Sequence, residues 1–210
     1  MLDRDDMRRT LVRIAHEIVE KNPGGEGSSV SNPRDGSSLS NARDGSSLSN
    51  PDDGDAGLAL VGIHRRGAII AQRLHALTSE LLATELPLGF VDIAFYRDDL
   101  AIRPSAPIVH STQLDFAVDG RTIVIVDDVL YTGRTVRAAI DEIFDYGRPA
   151  RVQLATLVDR GHRELPIKPT FVGKNIATST EQRVYVRVQE LDGYDEVTVA
   201  PAPEPKRAAA

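Results

Sequence analysis

The sequence predicts an α/β fold: a mostly parallel central sheet with helices on both faces. Apolar, β-branched runs alternate with stretches of helical periodicity, which is the pattern of strand–helix–strand units. The run "TIVIVDDV" (122–129) ends on two adjacent carboxylates and then passes through Thr-Gly-Arg-Thr directly into a helix. That order puts polar chemistry at the carboxyl end of a strand, where parallel sheets hold their ligands.

The elements follow in turn. Met7, Leu11, Ile14 and Ile18 recur at helical spacing, and Asp3, Asp5 and Asp6 sit at the end favoured by the helix dipole, so a helix is expected over 3–21 with "NPGG" as its stop. "LALVGI" (58–63) reads as a buried strand, followed by "HRRG" and an amphipathic segment from Ala68 to about Leu82. "FVDIAFY" (90–96), "TIVIVDDV", a helix over 134–146 and "VQLATLVD" (152–159) complete the alternation. "FVGKNIA" and "RVYVRVQE" read as shorter, irregular strands, and 200–210 as a frayed tail.

Between the first helix and the first strand stand three nine-residue copies, "SSVSNPRDG" (28–36), "SSLSNARDG" (37–45) and "SSLSNPDDG" (46–54). Each has one aliphatic residue and no aromatic, so none can bury a core of its own. A calcium-binding β-roll also repeats every nine residues but needs a Gly-Gly-x-Gly-x-Asp pattern that is missing here. The expected organisation is a helix of the core over 1–22, a disordered insertion over 23–57, the core over 58–199 and a disordered tail over 200–210. Long insertions cost a folded domain little, because loop closure grows only logarithmically with length.

Composition narrows the function. The chain has no cysteine, which excludes disulfides and thiolate metal sites, and five histidines in no ligand spacing. The formal net charge is -6, of which residues 22–57 carry -4 (six acidic against two basic), so the rest is close to neutral and a local basic face is compatible with it. No run approaches the ~20 apolar residues that span a bilayer, and "MLDRDDMRRT" is too charged for a secretory signal, so a cytoplasmic protein is expected.

Asp127 and Asp128 therefore stand at a strand end beside a turn, Thr132-Gly133-Arg134-Thr135, whose backbone N–H groups, hydroxyls and helix dipole suit a phosphate. Two acceptor-only carboxylates next to an anion cradle fit a sugar phosphate. No Gly-Lys-Ser/Thr and no G-x-G-x-x-G is present, which excludes a Walker A loop and a dinucleotide fingerprint.

"VIVDDVLYTGRT" resembles the phosphoribosyl-pyrophosphate (PRPP) motif of type I phosphoribosyltransferases. "RIAHEIVEKN", "LVGIHRRG", "FYRDD", "DRGHRELPI" and "GKNI" are similar to the PyrR family of pyrimidine-operon regulators and uracil phosphoribosyltransferases, over about 7–21 and 58–199. The resemblance implies a type I phosphoribosyltransferase fold with a small C-terminal hood. It also implies formation of UMP and pyrophosphate from uracil and PRPP, assisted by Mg²⁺ bound mainly through PRPP. In that family Asp127 and Asp128 would hold the ribose hydroxyls, and Val129, Leu130, Tyr131, Thr132, Gly133, Arg134 and Thr135 would line the PRPP loop. Arg65 and Arg66 would meet pyrophosphate, Arg66 as a catalytic group. Asp159, Arg160 and Val184 would serve the base. The long segment 98–120 would be a mobile loop, and Arg97, just before it, or Arg103, within it, would reach the phosphates on closure. Binding of the pyr mRNA leader, in response to UMP, would use Arg13, Lys21, His162, Lys168 and Lys174. Val12 departs from the hydroxyl residue that attenuator members carry there. Homo-oligomers, as dimers or dimers of dimers, are implied too. Two other readings fit the same residues: salvage without RNA binding, and a phosphoribosyltransferase for another base or a regulator whose chemistry has lapsed.

Overall fold

The computed structural model describes residues 1–23, 57–93 and 112–202. The nonapeptide insertion, Arg97 and Arg103 lie outside them. The first helix, α1 (Arg4–Lys21), starts at Asp3, whose carboxylate accepts from the Asp6 N–H while Asp6 accepts from the Asp3 N–H, a reciprocal capping box. Asn22 ends it, donating to the Ile18 carbonyl and pairing amide to amide with buried Gln153 at 3.0 and 2.8 Å.

β1 (Leu58–Ile63), β2 (Leu88–Val91), β3 (Thr122–Leu130), β4 (Arg151–Asp159) and β5 (Phe171–Asn175) form one sheet in the order β2-β1-β3-β4-β5, parallel throughout. Residues alternate between two cores. Leu58 and Leu60 of β1 and Val124 and Val126 of β3 pack with Met7, Leu11, Ile14 and Ile18 of α1 and with Ile70 and Leu74 of α2 (Arg66–Leu82). Ala59, Val61, Ile63, Ile123 and Ile125 face Val136, Ala139 and Ile143 of α3 (Arg134–Tyr146) on the other side. This is the doubly covered sheet that continuous apolar strands require.

Two strand boundaries differ from expectation: the strand expected over 183–190 ends at Arg187, where Gln189 opens a short helix, and the second lies earlier in the chain. The segment expected as a strand over 90–96 begins two residues earlier and stops at Val91. Its in-sheet partner β1 ends at Ile63, opposite Val91, so the ladder has nothing further to pair with. A strand not anticipated, β7 (Glu196–Pro201), pairs antiparallel with β6 (Gln182–Arg187) and runs two residues into the segment assigned to the tail.

β6, the short helix α4 (Gln189–Asp192) and β7 form the hood, which α2 anchors through two arginines. Arg66 donates to Asp192 at 2.7 Å, and Arg73 reaches Glu190 at 2.6 Å and Asp195 at 2.7 Å. Seven residues apart, the two arginines share one helix face. Burial pushes the Asp192 and Asp195 carboxyls up. The arginine hydrogen bonds, a backbone N–H on each and the nearby positive charge outweigh it, holding both below the ordinary carboxylate value. A depressed pKa adds stability that is present above about pH 4 and is lost as pH falls through the lower folded-state values. Amide exchange over 182–201 should therefore accelerate in acid before exchange over 122–130 does; equal acceleration would show that these pairs do not hold the hood.

Candidate active site

The strand order itself points to the site. From β1 the chain goes to β2 on one side, and from β3 to β4 on the other, so the carboxyl ends of β1 and β3 flank the point where the winding reverses. His64, Arg65 and Arg66 follow β1, and Asp127 and Asp128 close β3.

Asp127 is buried, 6% exposed, beneath the first turn of α2. Its Oδ1 accepts the Asp128 N–H at 2.9 Å, which fixes the backbone from which the half-buried Asp128 projects. A Cβ on Gly67 would lie 2.8 Å from the Val126 carbonyl oxygen and 3.1 Å from the Asp127 Cα, so only glycine allows α2 to approach this closely. The peptide bond between His64 and Arg65 is cis. Arg65 is exposed, whereas Arg66 is held by Asp192.

The turn 131–133 leads into α3. Gly133 has φ +94°, and a Cβ there would press on Leu165 and Ile167 at 3.3–3.4 Å. The N-cap residue, Gly133, offers no side chain to this helix, and the helix dipole at that end favours negative charge. The Thr132 hydroxyl accepts the Arg134 N–H at 3.3 Å. Thr135, in the first turn, is half-buried. Arg134 turns aside to Glu164 at 2.8 Å. Val129 and Leu130 reach the core rather than the turn's open side: Val129 packs against the α1 and α2 cluster, and Leu130, 1% exposed, sits in the α3 cluster. Leu130 contributes its carbonyl, which accepts the Arg160 N–H at 3.1 Å.

At the end of β4, Asp159 accepts from the Gly161 N–H at 2.9 Å and from Arg163 at 2.5 Å. Arg160 is buried, donates to the Thr178 hydroxyl and the Ser179 carbonyl, and lies over the Tyr131 ring at 4.1 Å. Val184, in β6, packs against the α1 and α2 cluster. Sequence reasoning did not single out Arg163, Thr178 or Asp192. Arg163 stood within a quoted motif, and the acids of "ELDGYDE" facing arginines at a seven-residue spacing were the available signal for the hood anchor.

The five basic candidates are spread over α1, β5 and the segment between β4 and β5, each with its own neighbours. Arg13 pairs with Glu17 and donates to the Val172 and Gly173 carbonyls at 3.0 and 2.6 Å, bracing α1 on β5, where Lys174 also lies, its Nζ 3.4 Å from the Met1 carbonyl. His162 bonds the Thr178 carbonyl at 2.7 Å and meets the Tyr131 ring edge-on, at the phosphate turn. Lys168 is exposed. Lys21 lines a cavity of about 410 Å³ with Leu58, Thr122 and Arg151, all at the opposite edge of the sheet where strands begin.

Among the described residues no three of His, Cys, Asp or Glu gather as an all-protein metal site. Asp127 and Asp128 are nonetheless the oxygen donors that a hard cation favours, directly or through its water.

The model of the phosphoribosyl transferase domain matches residues 39–190. The bifunctional protein PyrR of Roseiflexus sp. is 50% identical over 92% of this chain and 89% of that protein. The bifunctional protein PyrR of Chloroflexus aurantiacus is 48% identical over 95% and 93%. Among solved structures, a hypoxanthine phosphoribosyltransferase from Staphylococcus aureus aligns with TM-score 0.60 at 16% identity, covering 97% of this chain and 92% of that one. The last likeness speaks for the fold alone. A glycine turn at the reversal point of a five-stranded parallel sheet, a matching domain model and near-half identity over almost the whole length place this chain in the phosphoribosyl transferase domain family, among the bifunctional PyrR proteins.

Proposed function

We propose that the protein transfers the ribose 5-phosphate group of PRPP to uracil, giving UMP and pyrophosphate, and regulates a pyrimidine operon by uridine-nucleotide-dependent binding to its mRNA leader. The observation that carries the enzyme reading is the glycine-led N-terminus of α3, which follows the strand that bears Asp127 and Asp128. In the transfer the bond from ribose C1 to the pyrophosphate oxygen breaks, the bond from C1 to uracil N1 forms, and the N1 proton leaves. Positive charge grows on the ribose ring and negative charge on the leaving group.

The 132–135 turn binds the 5-phosphate, and Asp128 holds a ribose hydroxyl close enough for its charge to favour the cationic ring. Asp127, buried, orients Asp128. Arg65 and Arg66 receive pyrophosphate, for which the guanidinium fork is suited, with Arg66 exchanging Asp192 for the leaving group. Mg²⁺, carried in mainly on PRPP and its water, supplies charge neutralisation of the phosphates when bound. Among the described residues no helix is long and apolar enough to cross a membrane, in keeping with work in the cytoplasm. Assembly into homo-oligomers belongs to the same proposal.

Salvage without RNA binding is the second reading, and the engagement of Arg13 with β5 favours it. One experiment separates them. The purified protein is given PRPP with uracil or with hypoxanthine, and separately a pyr leader hairpin with and without UMP at two salt concentrations. UMP formation together with UMP-enhanced, salt-sensitive binding supports the bifunctional reading. Turnover without binding leaves the salvage enzyme, and a preference for hypoxanthine contradicts uracil as the base.

A further inference from the structure

Arg163 is the most heavily engaged guanidinium near the turn. It donates to the Asp159 carboxylate at 2.5 Å, the Tyr131 carbonyl at 2.8 Å, the Gly161 carbonyl at 3.2 Å and the Ile167 carbonyl at 3.0 Å. The segment it belongs to grips the turn twice more, because the Glu164 and Leu165 N–H groups both bond the Thr132 carbonyl, at 3.0 and 3.1 Å. Leu165 and Ile167 also back Gly133. Asp159, in turn, has both carboxylate oxygens occupied, one by the Gly161 N–H and the other by Arg163. Each oxygen keeps a free lone pair, so what the two bonds fix is the direction of the carboxylate, toward Arg163 and the Gly161 N–H.

We propose that Asp159 and Arg163 form one positioning unit that holds the 5-phosphate turn from the end of β4, so that Asp159 acts on phosphate binding through Arg163 rather than on the base. The inference rests on the 132–135 turn being the 5-phosphate site. Neither residue touches the phosphate; both set the backbone from which its amides project.

The test uses the full chain and the variants Arg163→Gln, Arg163→Lys, Asp159→Asn and the double variant Asp159→Asn with Arg163→Gln. Ribose 5-phosphate and UMP are titrated by calorimetry. Each Gln or Asn single variant should weaken ribose 5-phosphate by about tenfold or more, equivalent to about 1.4 kcal/mol. The double variant should be no worse than the poorer single one, since the two act as a unit. Arg163→Lys should rescue only in part, because one ammonium cannot meet four acceptors in a plane. The KM for uracil at saturating PRPP should stay within about twofold of wild type. Asp159→Asn raising the KM for uracil while leaving ribose 5-phosphate affinity unchanged would overturn the proposal. Hydrogen exchange of the 131–135 amides without ligand reads the tether separately: faster exchange in the variants supports it, and unchanged exchange overturns it. Wild-type protein that binds neither ligand, with exchange still faster in the variants, would sink the phosphate-site reading and leave the tether standing.

Discussion

Asp128→Asn should cut the rate of UMP formation by about 100-fold or more, while thermal stability stays close to wild type. The substitution keeps the size and shape of the side chain and removes its charge. Asp128 is only half-buried, so losing that charge does not open a cavity or strand a buried partner. Its backbone N–H still bonds Asp127 and keeps the strand end in place. What disappears is negative charge beside a ribose that becomes cationic in the transition state, and one well-placed electrostatic group in such a site is worth about 2.7–4 kcal/mol. The loss should fall mainly on kcat, because the charge matters more in the transition state than in the bound substrate. Initial rates at saturating PRPP and uracil check this; turnover equal to wild type would remove Asp128 from the mechanism.

Gly67→Ala should both destabilise the protein, by about 3 kcal/mol, and impair the site. The added methyl would meet the Val126 carbonyl oxygen at 2.8 Å and the Asp127 Cα at 3.1 Å, and both are backbone atoms of the central strand that cannot swing aside. Relief has to come from lifting the first turn of α2, which carries Arg66 and its bond to Asp192. One methyl thus displaces Arg66, the arginine proposed to meet pyrophosphate, relative to the acidic pair and loosens the hood at the same time. Chemical denaturation and the KM for PRPP should worsen together in this variant. Unaltered stability would mean that α2 packs less closely on β3 than the geometry here requires.

The parallel sheet, and the carboxylates and glycine turn of the candidate site at its carboxyl end, were legible because their signals are local. "TIVIVDDV" carries its burial in consecutive β-branched residues, and the Thr-Gly-Arg-Thr turn shows itself by a glycine, at positive φ, that leads into α3. The hood was less legible. β7 contains Glu196, Thr198 and a terminal proline, and the ion pairs that anchor the hood come from a helix more than a hundred residues earlier. No window of sequence holds both partners. The same limit applies to Arg160, whose side chain is met by Thr178 and Ser179 from a segment that the fold brings near. Asp159 differs, because its partner Arg163 is four residues on and stood in the same quoted motif. Arg13 is a further case: on a helix drawn alone it is a surface cation, and only the position of β5 shows the two carbonyls it serves.

The most direct test of the account is a UMP titration of isotope-labelled protein followed through its backbone amides. The account predicts the largest shifts at Thr132, Gly133, Arg134 and Thr135, with smaller ones at Asp128, and none at Lys21, Leu58 or Thr122. Shifts gathered instead around the cavity at the other edge of the sheet, with the 132–135 amides unmoved, would contradict the assignment of the phosphate turn and the mechanism built on it.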